Sequence, residues 1–122
     1  MDVEMDNKHK KDALILAIRK AYDHSREAND LIFKKEGNIN VALAYLNSAI
    51  SSMNLAMAIH TCIDDKLLEF EEINHRFNVF SDEFLSKCSA IYLDKWSETW
   101  SDITFELFED VYKHSIVPDY PV

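Results

Sequence analysis

The chain contains a single glycine, Gly37, and only two prolines, Pro118 and Pro121, among its 122 residues. The turns of a β-sandwich or a barrel depend on such residues, so an all-β fold is nearly excluded. A P-loop or a dinucleotide-binding loop needs several glycines close together, and both are excluded as well. Hydrophobic residues make up 48% of the chain, which is enough for a buried core. The sequence therefore predicts an all-α globular protein.

Apolar residues recur at steps of three and four along four segments, which is the pattern of helices with one buried side. The predicted helices cover residues 12–35, 40–63, 64–92 with an interruption at 78–82, and 94–115. The apolar stripe of the first helix is Leu14, Ile18, Ala21, Ser25, Ala28 and Ile32. The stripe of the last helix is Trp96, Trp100, Ile103, Leu107 and Val111. Short connections between these helices predict an antiparallel bundle of four to five helices.

The length of the chain suits one domain. Residues 1–11 have no apolar periodicity, so we expect a flexible N-terminal segment there. Residues 12–117 are predicted to form a single helical-bundle domain. Pro118 ends the last helix, and residues 118–122 are expected to form an extended C-terminal tail.

The formal net charge is −9, and it is confined to the second half of the chain. Residues 1–60 hold eight acidic and eight basic residues, whereas residues 61–122 hold fourteen acidic and five basic residues. Such a surface repels phosphate groups, so we expect no direct binding to nucleic acid or to an anionic membrane. It would attract a basic protein.

Cys62 and Cys88 are the only cysteines, and neither belongs to a CxxC motif. The start of the chain is highly charged, and the apolar run 13–18 is too short for a signal peptide. These features predict a reducing, cytoplasmic environment. The segment 37–63 has no formal charge and is long enough to span a bilayer, but asparagines and serines interrupt it, so we interpret it as a helix of a soluble protein.

Histidines and carboxylates three or four residues apart are the candidates for a metal site, because they share a helix face. The candidate ligands are His60, Glu69, Glu72, His75, Asp110 and His114. This set loosely resembles the carboxylate–histidine sites of di-iron helical bundles, although only Glu72 and His75 follow the Glu-x-x-His pattern. The resemblance implies a metal-binding bundle. We prefer the interpretation that these are surface ion pairs, and we expect no cofactor.

A second alternative rests on Arg19 and His24, which are separated by four residues. This spacing resembles the Arg-x4-His motif of the HEPN ribonucleases, which are helical bundles that usually dimerise. The resemblance implies that Arg19 and His24 would act on an RNA phosphate and its 2′-hydroxyl.

The favoured hypothesis concerns residues 61–122, which combine the negative charge with eleven of the fourteen aromatic residues. Aromatic side chains anchor protein interfaces, and carboxylates steer a basic partner. The predicted partner-binding residues are Trp96, Trp100, Glu106, Glu109 and Asp110. We therefore predict a small acidic intracellular binding protein, such as an inhibitor or immunity-type factor that occupies a basic site. The second helix also predicts a homodimer, because its apolar arc is wide. Its main apolar stripe is Ala42, Leu46, Ala49, Met53 and Ala56, and a second stripe beside it is Leu43, Ile50 and Met57.

Overall fold

The computed structural model describes residues 3–33, 38–64, 66–91 and 103–120. Four helices make up the regular structure of this part of the chain, and it contains no strand: α1 (Val3–Phe33), α2 (Ile39–Cys62), α3 (Phe70–Ile91) and α4 (Ile103–Lys113). The all-α prediction is confirmed. Residues 92–102, which include the predicted start of the last helix, lie outside the described residues.

Each helix lies beside two others. Among the described residues, the backbones of α1 and α2, α2 and α3, α3 and α4, and α4 and α1 approach each other, whereas those of α1 and α3, and of α2 and α4, do not. The most extensive packing is between α1 and α2. One continuous hydrophobic core, with residues from all four helices, lies between them.

The first two helices bury the sides that their apolar periodicity predicts. Leu14, Ile18 and Ala21 are completely buried on α1, and five of the six α2 residues that are buried are apolar. The buried residues of α2 are Ala42, Leu46, Ala49, Ser52, Met53 and Ala56. Small side chains in both stripes allow the two helix axes to approach closely. Asn38 caps α2, since its side chain accepts a hydrogen bond from the Asn40 backbone N–H at 2.7 Å.

The structure differs from the sequence-based expectation at the beginning of the chain. Helix α1 begins at Val3, so the segment 1–11 that we expected to be flexible is helical from residue 3. The residues there are mostly good helix formers, none is glycine or proline, and Glu4 stands four residues before Lys8. These local preferences extend the helix without an apolar stripe.

The predicted interruption of the third helix is absent, because α3 is continuous from Phe70 to Ile91. Ser81 lies inside the helix, where its hydroxyl donates to the Asn78 carbonyl at 3.2 Å. Phe77, Phe80 and Phe84 are all buried across this region, so packing outweighs the weak helix preference of Asn and Ser. The helix also begins later than predicted, after a turn at Leu68 and Glu69.

The C-terminal segment also differs from the expected extended tail. Helix α4 ends at Lys113, and residues 114–119 form turns and bends. Val117 is completely buried, and the Tyr120 backbone N–H donates to the Val117 carbonyl at 3.4 Å. Burial of Val117 and the hydrogen bonds of Arg19, described below, hold this segment against α1.

Candidate functional site

Helix α4 has two apolar sides, and the structure buries the more aromatic one. Phe105, Phe108 and Tyr112 lie in the core, whereas Ile103 is 55% exposed and Leu107 is 41% exposed. The predicted stripe therefore faces outward at Ile103 and Leu107, whereas its last member, Val111, packs partly against the core. Burying three aromatic rings removes more apolar surface from water than burying the aliphatic side chains would.

Two carboxylates flank the exposed apolar residues. Residues 103, 106, 107 and 110 follow steps of three, one and three, which places them on one side of a helix. Glu106 is exposed, and the Asp110 side chain is 71% exposed. Asp110 pairs with its neighbour His114 at 3.4 Å, and that pair remains in solvent. We call Ile103, Glu106, Leu107 and Asp110 the acidic face of α4.

Glu109, which was predicted to belong to the same surface, instead points toward α1. Its carboxylate accepts a hydrogen bond from the Tyr22 hydroxyl at 2.5 Å and pairs with Lys113 at 3.6 Å. The Tyr22 ring lies parallel to that of Tyr112, with centroids 4.0 Å apart. Burial, and then the adjacent Glu109 carboxylate, raises the pKa of Tyr22 well above its usual range. Glu109 thus helps to fix α4 on α1.

The predicted anchors Trp96 and Trp100 lie outside the described residues. Two other apolar residues, Ile103 and Leu107, take the exposed positions beside the carboxylates. Sequence reasoning missed these two as surface residues because it assigned them to the core. The signal that could have revealed them is the parallel aromatic stripe Phe105, Phe108 and Tyr112, which competes for the same core.

Arg19 holds the C-terminal segment. Its guanidinium donates to the carbonyls of Val117 at 3.0 Å and Pro118 at 3.1 Å, and also to the carbonyl of Tyr120. The guanidinium therefore donates hydrogen bonds to three backbone carbonyls, and its several N–H groups in one plane suit it to bind several acceptors at once.

His24 faces α2, whereas Arg19 faces the C-terminal segment. Its Nδ1 lies 2.7 Å from the Ser48 hydroxyl on α2, and its ring packs edge-on against Tyr45. Positions five apart on a helix point about 140° away from each other, at 100° per residue. The structure does not bring Arg19 and His24 together, so no observation favours the ribonuclease alternative.

The candidate metal ligands are dispersed among other partners. His60 stacks on Phe70 with ring centroids 4.3 Å apart, and burial and then Lys66 lower its pKa. Glu72 pairs with Arg76 at 2.9 Å, and Asp110 pairs with His114. Within the described part of the chain, no group of three or more His, Cys, Asp or Glu side chains is arranged to hold a metal ion.

A second surface feature lies on α2. Asn40, Ala44, Asn47, Ser51, Asn54 and Ala58 alternate by four and three along the helix, and all six are exposed. We call them the uncharged face of α2. The helix from Ile39 to Cys62 is long and apolar enough to cross a membrane by length and composition, and 33% of its most apolar window is buried within the protein.

Comparison with models of protein families, with curated proteins and with solved structures found no match to this chain.

Proposed function

We propose that the protein binds a basic partner protein through the acidic face of α4. The observation that carries this proposal is the exposure of Ile103 and Leu107 directly beside Glu106 and Asp110. Large apolar residues contribute affinity when a partner covers them, and flanking carboxylates contribute steering and specificity. Solubility does not require exposed apolar residues beside the carboxylates, because charged residues alone would keep the chain in solution.

The partner would present an apolar hollow bordered by lysine or arginine side chains. Helix α4 would lie in it as an amphipathic helix lies in a groove, with anchors four residues apart. The net charge of −9, confined to residues 61–122, supports a long-range attraction to such a partner. We infer a cytoplasmic inhibitor or immunity-type role, in which the protein covers a basic site of its target.

The arrangement that we propose for the helices is an antiparallel bundle. Along α1, Asn7 contacts Asp64 and His24 contacts Ser48, which supports opposite directions for α1 and α2. Phe77 packs on Phe108 and Phe80 on Phe105, which supports the same relation between α3 and α4. In this arrangement, α4 is an outer helix with one side available to a partner.

The test compares two double charge reversals in binding to a synthetic amphipathic helix of lysine and leucine, measured by fluorescence anisotropy. Glu106→Lys with Asp110→Lys alters the acidic face of α4. Since both carboxylates would lie at the interface, we expect the dissociation constant to rise about tenfold or more.

The matched control is Glu71→Lys with Asp82→Lys, which changes the net charge equally at exposed positions of α3. We expect this control to weaken binding by no more than about twofold, because long-range attraction alone is screened by salt. Equal losses in the two variants would show that the peptide senses only the net charge, and would overturn the proposal.

A further inference from the structure

The exposed side of α2 differs in charge from the exposed sides of the other helices. From Ile39 to Cys62 the only titratable side chains are Tyr45, His60 and Cys62, and His60 is turned onto Phe70. By contrast, Lys20 on α1, Glu71 on α3 and Glu106 on α4 are charged and exposed. The uncharged face of α2 thus runs along the helix for most of its length and carries no formal charge.

Such a face suits a contact between identical molecules. In a twofold-symmetric contact each surface meets its own image, so a surface with carboxylates repels its copy, and this chain carries a net charge of −9. The uncharged face avoids that repulsion. Asparagine amides both donate and accept hydrogen bonds, so Asn47 and Asn54 can pair with the same residue type on another copy.

Large apolar residues border the uncharged face and supply area to bury. Leu55 is 56% exposed, Val41 is 45% exposed and Met57 is 40% exposed. In the middle of the face the small side chains of Ala44, Ser51 and Ala58 permit close approach of a second helix.

The size of the face sets the strength of the contact. A helix of 24 residues is about 36 Å long and about 10 Å wide, so two such faces bury on the order of 1,000 Å² in total. That area is at the lower limit of specific protein interfaces, which implies a weak and reversible dimer.

We propose that the uncharged face of α2 binds the same face of a second copy of this chain. Ser51 is at the centre of the face, so Ser51 and the partner's Ser51 come together whichever way the two helices run. The proposal is independent of partner binding through α4, because the two faces lie on different helices whose backbones do not approach each other among the described residues.

The test places a charge at this centre. Ser51→Glu introduces two carboxylates that repel each other across the contact, and we expect the dimer to weaken about tenfold or more. The measurement is sedimentation equilibrium from about 1 μM to about 1 mM, the range over which a weak dimer forms. The wild type should rise from 14.2 kDa toward twice that mass, and the variant should need a concentration at least about tenfold higher to reach the same average mass.

Two further samples separate a lost interface from a lost fold. A mixture of Ser51→Glu and Ser51→Lys chains should recover the dimer, because opposite charges then meet. Ser86→Glu makes the same change at an exposed position of α3 and should dimerise like the wild type. A wild type that stays at 14.2 kDa throughout, or a Ser51→Glu variant that dimerises normally, would overturn the proposal. Co-flotation of wild-type monomers with phosphatidylcholine vesicles would also overturn the proposal, since the uncharged face of α2 would then bind lipid.

Discussion

At the scale of single residues, Arg19 shows how a residue type that suggests catalysis can serve the fold. Its guanidinium is occupied by the carbonyls of Val117, Pro118 and Tyr120. The sequence could not reveal this role, because the first of these carbonyls lies 98 residues away along the chain. Local spacing with His24 suggested an RNA site, whereas long-range hydrogen bonds determine where the side chain points.

Replacing Arg19 should therefore destabilise the fold. We expect Arg19→Ala to lower the free energy of unfolding by about 1.5–3 kcal/mol, the contribution of one hydrogen bond from a charged donor. The loss is smaller than three such contributions because the freed carbonyls regain hydrogen bonds to water. Arg19→Lys should recover little, because an ammonium group cannot bridge three carbonyls as a planar guanidinium does. Urea unfolding gives the energies, and hydrogen exchange at residues 114–120 should accelerate in both variants. Unchanged stability together with unchanged exchange would contradict this role.

At the scale of helices, the periodic apolar stripes predicted the buried sides of α1 and α2 well, because the core covers the main stripe of each helix. Leu14 and Ile18 on α1, and Leu46 and Met53 on α2, are buried as expected. The buried side of α4 was harder to predict, because two neighbouring stripes are both apolar and the sequence alone does not show which of them is buried. Tertiary contacts decide which stripe is buried, chiefly the contacts of the rings that pack around Tyr22.

The orientation of α4 can be tested with two matched truncations. Phe108→Ala should lower the free energy of unfolding by about 3–5 kcal/mol, because the completely buried ring would leave a cavity. Leu107→Ala should change it by no more than about 0.5 kcal/mol, because that side chain is already partly in water. Chemical denaturation measures both values. Similar losses for the two variants would mean that α4 buries the stripe containing Ile103 and Leu107 after all.

At the scale of the whole molecule, charge and burial separate two kinds of surface. Residues 61–122 carry the net charge, and the acidic face of α4 adds apolar anchors to it. Helix α2 contributes a long side with no formal charge. Composition alone predicted the acidic half and the attraction to a basic partner. It could not identify which residues are available to such a partner, because their exposure depends on which apolar stripe of α4 is buried in the core.

The most direct test of the account maps where a basic peptide binds on the folded protein. Amide chemical shifts of the labelled wild type are followed by nuclear magnetic resonance during titration with the lysine–leucine helix. Steering by carboxylates depends on salt, so the titration is made at about 0.1 M and about 1 M, where the Debye length is about 10 Å and about 3 Å. The account predicts that the largest changes fall on residues 103–110 and weaken strongly at high salt. Changes centred on α2, or spread evenly over all acidic residues, would contradict it.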